Sequence, residues 1–396
     1  MTRFLATVYA FKFFDAFILI YPLYAVMFVD AGMTAGEVGA ALAVWSVTAF
    51  LVEAPAGVWA DRWSRRAILS VAQLLRLAGY ATWLLWPHFW GFIAGFVLWG
   101  LKSGLTNGCF EALVYDELKA AGREDDYTRV AGRAEAIQFV GILAASLAAA
   151  PVAPLGYGML LTASLVACAI AAAAPWAFRR APRNAVAGDI HYFDHLKLGL
   201  RQAVRTPILL GLIVFLAMTL ALGGALDEFW SIFASRAGLN HSQVALFIGA
   251  MSAGQAVASF LAHRARRLAS GWFYALFALN GVLLSIAATL FRPAAVVLLI
   301  AFSGGFKVID IVFEGRLQDA LPSETRATIA SVKGFVVELA VTVLYLTFGP
   351  LAQATSYRTA FLITGGAIGV VGLGLLLRFT FRSTLRSSPG ASPGDP

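Results

Sequence analysis

Gly57-Val58-Trp59-Ala60-Asp61-Arg62-Trp63-Ser64-Arg65-Arg66 stands between two long apolar segments. A lone acid followed by three arginines fits a helix end at a membrane surface. Arg62, Arg65 and Arg66 hold such a loop on the cytoplasmic side. Asp61 can sit near a neighbouring helix N-terminus, where backbone N–H groups and the helix dipole favour an anion. Outward from this loop the chain keeps the same character. Of its 396 residues 60% are hydrophobic and only 13% are charged, whereas soluble domains carry about a quarter charged residues. A bilayer core takes about 20 apolar residues per helix, and twelve such helices with short loops fill this length. The reading is an all-α membrane protein.

Apolar runs place spans near 4–29, 35–60, 67–86, 90–118, 130–151 and 156–178, then 207–234, 241–262, 270–290, 294–320, 327–349 and 357–379. Lysines and arginines fall on alternate sides. One side carries Arg3, Arg62, Arg65, Arg66, Lys119, Arg123 and Arg129, the connector residues Arg179 to Arg205, then Arg264, Arg266, Arg267, Arg326, Arg378, Arg382 and Arg386. The other side carries only Arg236, Arg292 and Arg358. This asymmetry predicts both termini in the cytoplasm and an even number of spans. The net charge of +8 therefore gives no reason to expect nucleic acid. Cys109 and Cys168 fall inside predicted spans and read as packing residues rather than a disulfide or metal site. No cleavable signal peptide is expected, because the first apolar run lacks a small-residue cleavage site. Four regions follow: a first bundle over 1–178, a connector over 179–206, a second bundle over 207–381 and a Ser/Pro/Gly-rich tail over 382–396, expected to be disordered. Within the connector, apolar residues at helical spacing beside Lys197, Arg201 and Arg205 predict a short amphipathic helix on the inner membrane face.

The two bundles look duplicated. Phe110-Glu111 through Asp116 matches Phe313-Glu314 through Asp319, and each follows a lysine deep in its helix, Lys102 and Lys307. Ala31-Gly32-Met33 matches Ala237-Gly238-Leu239. His263-Arg264-Ala265-Arg266-Arg267 is a worn copy of the opening loop, with His263 in place of Asp61. Either the second half has lost an anionic partner, or that loop has simply drifted.

The opening loop resembles the signature of the major facilitator superfamily, Gly-x-x-x-Asp-Arg/Lys-x-Gly-Arg-Arg/Lys, between the second and third membrane helices. Ser64 stands where that pattern prefers glycine. The resemblance implies two six-helix bundles around a central axis, a substrate site between them near the bilayer midplane, and rocking between inward- and outward-open states. It also implies that Gly57, Asp61, Arg62, Arg65 and Arg66 act as a conformational latch. The expected setting is a monomer in the cell's inner (plasma) membrane, moving a small molecule against protons. No bound cofactor or metal is expected, the proton motive force serving instead.

Ionisable residues inside a span are costly and point to function. Asp15 lies near the midplane of the first span, with Lys12 three residues before it and able to pair with it. Glu53 lies in the second span, Arg76 in the third, Lys102 and Glu111 in the fourth, and Asp227-Glu228 in the seventh. Lys307, Asp310 and Glu314 stand at i, i+3 and i+7, one helical face that must point into the bundle or a wet cavity. Lys333 and Glu338 in the eleventh span read as a further opposite-sign pair. A carboxyl in such a cavity can take up and release a proton as the cavity changes sides.

Small residues at Gly132, Gly141, Ala145, Ser146, Ala149 and Ala150 partly follow the resemblance to the family's antiporters, although the Gly-Pro step of their fifth helix is absent. The fourth-helix Arg-x-x-Gln-Gly pattern is also incomplete, with Gly104 at the arginine position and Lys102 two residues away. Aromatics such as Phe17, Tyr21, Tyr24, Trp99 and Trp230 suit an amphiphilic organic substrate, a drug or secondary metabolite. Charges of both signs also suit a polar or zwitterionic metabolite taken up by an importer or uniporter. Catalysis is not expected. Tyr115-Asp116 lacks the Gly-x-Gly-Asp partner of an intramembrane protease, and neither His-Glu-x-x-His nor Gly-x-Ser-x-Gly occurs.

Overall fold

The structure is a computed structural model describing residues 2–62, 64–177, 200–201, 203–321 and 326–387. It is all helical: α1 Thr2–Ala16, α2 Tyr24–Asp30, α3 Ala35–Arg62, α4 Arg65–Leu85, α5 Phe89–Thr106, α6 Cys109–Ala120, α7 Tyr127–Val152 and α8 Tyr157–Ala173. After the connector come α9 Pro207–Gly223, α10 Trp230–Arg236, α11 His241–Ala265, α12 Ser270–Leu290, α13 Val296–Asp319, α14 Arg326–Ala354 and α15 Tyr357–Ser387. Among the described residues ten stretches are long and apolar enough to cross a membrane.

The expected first and fourth spans are absent from those ten because each is divided. The first breaks between α1 and α2. Pro22 has no N–H to give, and the residue before a proline is driven out of helical geometry. The freed Ile20 N–H donates instead to Ser164 Oγ of α8 at 3.0 Å, which answers the demand that a backbone group inside a membrane protein find a partner. The fourth breaks between α5 and α6 at Asn107-Gly108, where Gly108 takes φ +71°. The seventh, counted as one stretch, is also interrupted: α9 stops at Gly223 and a 3₁₀ turn over Ala225–Phe229 leads into α10. Interruptions thus fall at matching places in the first and seventh spans.

Loops sort onto two faces. The basic face carries the α3–α4, α6–α7, α11–α12 and α13–α14 connections, and the neutral face carries the α2–α3, α4–α5, α10–α11 and α14–α15 connections. Helices α1–α8 pack mainly among themselves, as do α9–α15. The groups meet chiefly where α3 lies on α14 and α7 on α11. Close approach there depends on glycine. A Cβ at Gly39 would stand 2.5 Å from the Tyr345 carbonyl oxygen and 3.0 Å from Gly349 Cα, and one at Gly249 would stand 2.9 Å from Ser146 Cβ.

Two expectations reach the edge of the described residues. Helix α15 runs on to Ser387, past the start of the expected disordered tail at 382. The expected amphipathic helix lies mostly outside the described residues. Only its end, at 200–201 and 203–205, is seen, and it is helical.

Candidate functional site

Asp15 sits at the end of α1, just before the first break, with its side chain 13% exposed. Lys12 does not pair with it. Arg76 of α4 reaches Asp15 Oδ1 at 3.0 Å and Lys102 of α5 reaches the same oxygen at 2.9 Å. Gln73 Nε2 donates to Asp15 Oδ1 at 2.6 Å, and Arg76 donates to the Asp15 carbonyl at 2.8 Å and to Gln73 Oε1 at 2.7 Å. Gln73 and Arg76 share a face of α4 because they stand at i and i+3. One carboxylate thus holds two buried cations, and the cluster is one positive charge in excess. Lys12 instead lies 4.4 Å from the Phe110 ring centroid, 3.9 Å from Glu111 Oε1 and 3.4 Å from Gln138 Oε1. These residues, with Glu135 and Tyr127, line a cavity of about 580 Å³. Gln73 and Gln138 escaped the sequence reading because neutral side chains give no charge signal in an apolar run.

The two helical groups are joined toward the neutral face. Gly36 N–H donates to Gln353 Oε1 at 3.1 Å, and the Ser46 hydroxyl donates to Glu338 while lying 2.9 Å from the Thr342 hydroxyl. Phe50 meets Phe335 with ring centroids 5.6 Å apart. Ser242 Oγ donates to the Ala150 carbonyl at 2.6 Å. Tyr157 donates to Asp30 and meets His241 Nε2 at 3.1 Å, and that nitrogen is 3.2 Å from Asp30 Oδ2. Along α3 these contacts run from Gly36 to Phe50, about 21 Å at 1.5 Å per residue, half of the helix. Glu53, seven residues beyond Ser46 and so on the same face, is exposed.

The two interrupted spans meet near their breaks, on the neutral-face side of α1 and α9. The Tyr24 phenol donates to Glu228 across the groups. Around that contact Tyr21, Tyr24, Asp227, Glu228, Trp230, Met251 and Gln255 line a cavity of about 70 Å³. Behind Tyr24, in the first group, lies a wall of rings: Trp83 at 6.0 Å, Trp99 at 5.7 Å and Phe96 at 5.9 Å between centroids. Of the expected aromatics, Tyr21, Tyr24 and Trp230 are at the cavity, while Trp99 stands behind Tyr24; the neighbouring Phe229 is buried against Phe348 with centroids 4.5 Å apart.

In the second group Lys307 and Asp310 pair at 3.2 Å, as their spacing allows. Glu314 turns to Lys333 of α14 at 2.9 Å and accepts from Gln318 at 3.0 Å. Lys333 and Glu338 therefore do not pair with each other. Five residues place them about 140° apart around a helix, on different faces.

The latch expectation for Gly57, Asp61 and Arg62 falls on side chains outside the described residues. Arg65 donates to Asp116 and, at 3.2 Å, to the Ala112 carbonyl. Arg66 lies 6.0 Å from the Trp176 ring centroid. In the second group Arg266 donates to Asp319 at 2.7 Å, so each group makes an arginine–aspartate bond at this end, although the loop alignment sets Arg267 rather than Arg266 opposite Arg65. Both bonds stay inside their own group. His263 Nδ1 lies 2.7 Å from the Phe260 carbonyl of its own helix.

The Major Facilitator Superfamily profile matches residues 5–342. Among solved structures, the chain is similar to a point variant of the nucleoside transporter NupG at TM-score 0.79 and 14% identity, with 96% of this chain and 100% of that one covered. A D-xylose–proton symporter gives TM-score 0.71 and 13% identity over 94% and 96% of the two chains. A bacterial homolog of the human lysosomal transporter Spinster, in an inward-facing and occupied conformation, gives 0.70 and 14% over 96% and 95%. At such identities the likeness speaks for the fold. A comparison with curated protein sequences gave no match.

Proposed function

Since the chain belongs to the major facilitator superfamily, we propose that it is a twelve-span secondary transporter. It exchanges protons for amphiphilic small molecules, drugs or secondary metabolites, and exports them by alternating access. Residues 1–178 and 207–381 form the two rocking bundles, joined by the 179–206 connector. The basic face lies in the cytoplasm, both termini with it, and one chain in the inner membrane forms the whole path.

The observation that carries this reading is one-sided closure. The halves are joined from Gly36 to Phe50 of α3, while Glu53 and Glu111 on the basic side are exposed. Closure of one side alone supports a two-state carrier read as inward-open. Support for proton exchange comes from Asp227 and Glu228, which line the small cavity, and from the ionisable pairs Lys307–Asp310 and Glu314–Lys333 of α13 and α14. The 2.9 Å Lys333–Glu314 pair can open when Glu314 takes a proton.

Everted vesicles with an imposed acid interior test the direction. Substrate should accumulate inside and dissipate the gradient, and accumulation indifferent to the gradient would remove the antiport reading. Glu314→Gln keeps shape and removes the charge. It should insert normally but lose about tenfold or more of gradient-driven transport, the worth of one charge-assisted hydrogen bond. Normal gradient-driven transport by that variant would take Glu314 out of the relay.

A second reading has one observation in its favour. The Asp15–Arg76–Lys102 cluster carries an uncompensated positive charge, which suits the carboxylate of a zwitterionic metabolite entering by import or uniport. Uptake by right-side-out vesicles with acid outside separates it from export.

A further inference from the structure

The cavity of about 580 Å³ between α1, α6 and α7 has the size that small-molecule sites take. It reaches from Lys12 and Gln138 to Tyr127, the first residue of α7, and so to the basic face. Lys12 is the cation of its wall, and its ammonium is held loosely. Gln138 Oε1 lies at 3.4 Å and Glu111 Oε1 at 3.9 Å, whereas charge-assisted bonds run at about 2.7–2.9 Å. The Lys12 side chain is 17% exposed, so a ligand oxygen can reach it. Glu135 lines the same cavity, is exposed, and forms no ion pair with any Lys, Arg or His among the described residues.

The charges around this cavity are unequal in two opposite ways. The Asp15 cluster beside it has one positive charge in excess, because Asp15 answers both Arg76 and Lys102. The cavity has one negative charge in excess, because Lys12 is set against Glu111 and Glu135. Lys12 and Asp15 stand at i and i+3 of α1, so the two imbalances adjoin. A lone anion answers only the first and a lone cation only the second. A molecule with both charges answers both. The spacing fits a compact one: Glu135 and Gln138 stand at i and i+3 of α7, about 5–6 Å apart at Cβ, and Gln138 already touches Lys12. A carboxylate at Lys12 and an ammonium at Glu135 can therefore be borne by one carbon atom. Val114, Val130 and Phe139 make the rest of the wall apolar, as a hydrophobic side chain requires.

We propose that this cavity is a binding site for hydrophobic amino acids, with the carboxylate on Lys12 and the ammonium on Glu135. This rests on the transporter reading and names its substrate class. The carboxylate supplies the close partner that Lys12 lacks, and the Gln138 amide N–H group is a second donor to it. The ammonium gives Glu135 its counter-charge, and the side chain lies against Val114, Val130 and Phe139.

Titration calorimetry on the purified full-length chain tests it with four probes. L-phenylalanine carries both charges, 2-phenylethylammonium lacks the carboxylate, 3-phenylpropionate lacks the ammonium, and glycine lacks the apolar body. L-phenylalanine should bind most tightly, and each of the others at least tenfold more weakly. Lys12→Gln should weaken L-phenylalanine by about tenfold, as expected for a lost charge-assisted hydrogen bond, and leave 2-phenylethylammonium no weaker than before. Glu135→Gln should weaken L-phenylalanine and 2-phenylethylammonium alike and leave 3-phenylpropionate no weaker. A merely structural role for either residue would weaken every probe together, and that result overturns the proposal. So does affinity of a single-charge probe within twofold of L-phenylalanine, or no binding of L-phenylalanine at all. Labelling of a Ser46→Cys variant from the neutral face keeps the two levels apart, because that seal must open in an alternating-access carrier whatever it moves. Labelling without L-phenylalanine binding sinks the amino-acid site and spares the transporter. A seal that never labels removes the transporter reading and the substrate class with it.

Discussion

Gly39→Leu is expected to force the two halves apart on the neutral face. Even a Cβ at that position meets the Tyr345 carbonyl at 2.5 Å and Gly349 Cα at 3.0 Å. Both are backbone of α14, so neither can swing aside as a long side chain would. Overpacking of this kind costs about 1–3 kcal/mol. The strain falls only on the state in which α3 lies against α14. The equilibrium between the two states should therefore move about 5–150-fold toward separation at the neutral face. Ser46, 2% exposed and behind this contact, is the reporter position. In a Ser46→Cys background, labelling by a membrane-impermeant maleimide applied from the neutral face should rise steeply with Gly39→Leu, and transport should fall because the seal cannot form. Gly132→Leu is the control, since a Cβ there has nothing within 4 Å. Unchanged labelling would mean that the α3–α14 contact takes no part in the cycle.

Asp15→Asn should be the most damaging single change in the first half, and Lys102→Gln much milder. The reason is the charge count. Asp15 faces two cations, Arg76 at 3.0 Å and Lys102 at 2.9 Å, all in side chains no more than 13% exposed. Removing the carboxylate leaves two buried positive charges side by side. Removing the lysine leaves a balanced aspartate–arginine pair. Breaking a buried pair by deleting one partner costs about 3–5 kcal/mol, and a large share of a membrane bundle's stability goes with it. Asp15→Asn should lower the unfolding temperature and yield in detergent sharply. Asp15→Asn/Lys102→Gln should recover part of the loss by removing one of the stranded cations. Thermal unfolding of the three variants decides it: if Lys102→Gln is as harmful as Asp15→Asn, the lysine has a role beyond balancing charge.

Much of the architecture was legible in the residues. The basic asymmetry of the loops and the recurrence of Phe110–Asp116 as Phe313–Asp319 anticipated two related groups, and Asp116 and Asp319 each bond an arginine of the preceding basic loop, though from positions one residue apart in the alignment. Charge depth was legible too, because an acid in an apolar run stands out. Partnership was not. Spacing along one helix identifies neighbours on that helix, and it found Lys307–Asp310. It paired Asp15 with Lys12, whereas the chain brings Arg76 and Lys102 from two other helices. Lys333 chose Glu314 across a helix boundary over Glu338 on its own. Such choices depend on how helices are rotated against one another, which an apolar pattern facing partly lipid and partly protein does not record. The breaks went unread: Pro22 and Gly108 stand at two of them, but a long hydrophobic run reads as continuous even where the backbone turns.

The interruptions of the first and seventh spans bear on how such a carrier can evolve. A helix that stops in mid-membrane exposes peptide N–H and C=O groups that its own ladder no longer uses, and here one of them is met by the Ser164 hydroxyl. Main-chain dipoles do not change when a codon does. A pocket built beside two such stops keeps a polar lining through drift in its side chains, so new cargo can be tried by altering rings and acids without first rebuilding a place for polar atoms to dock.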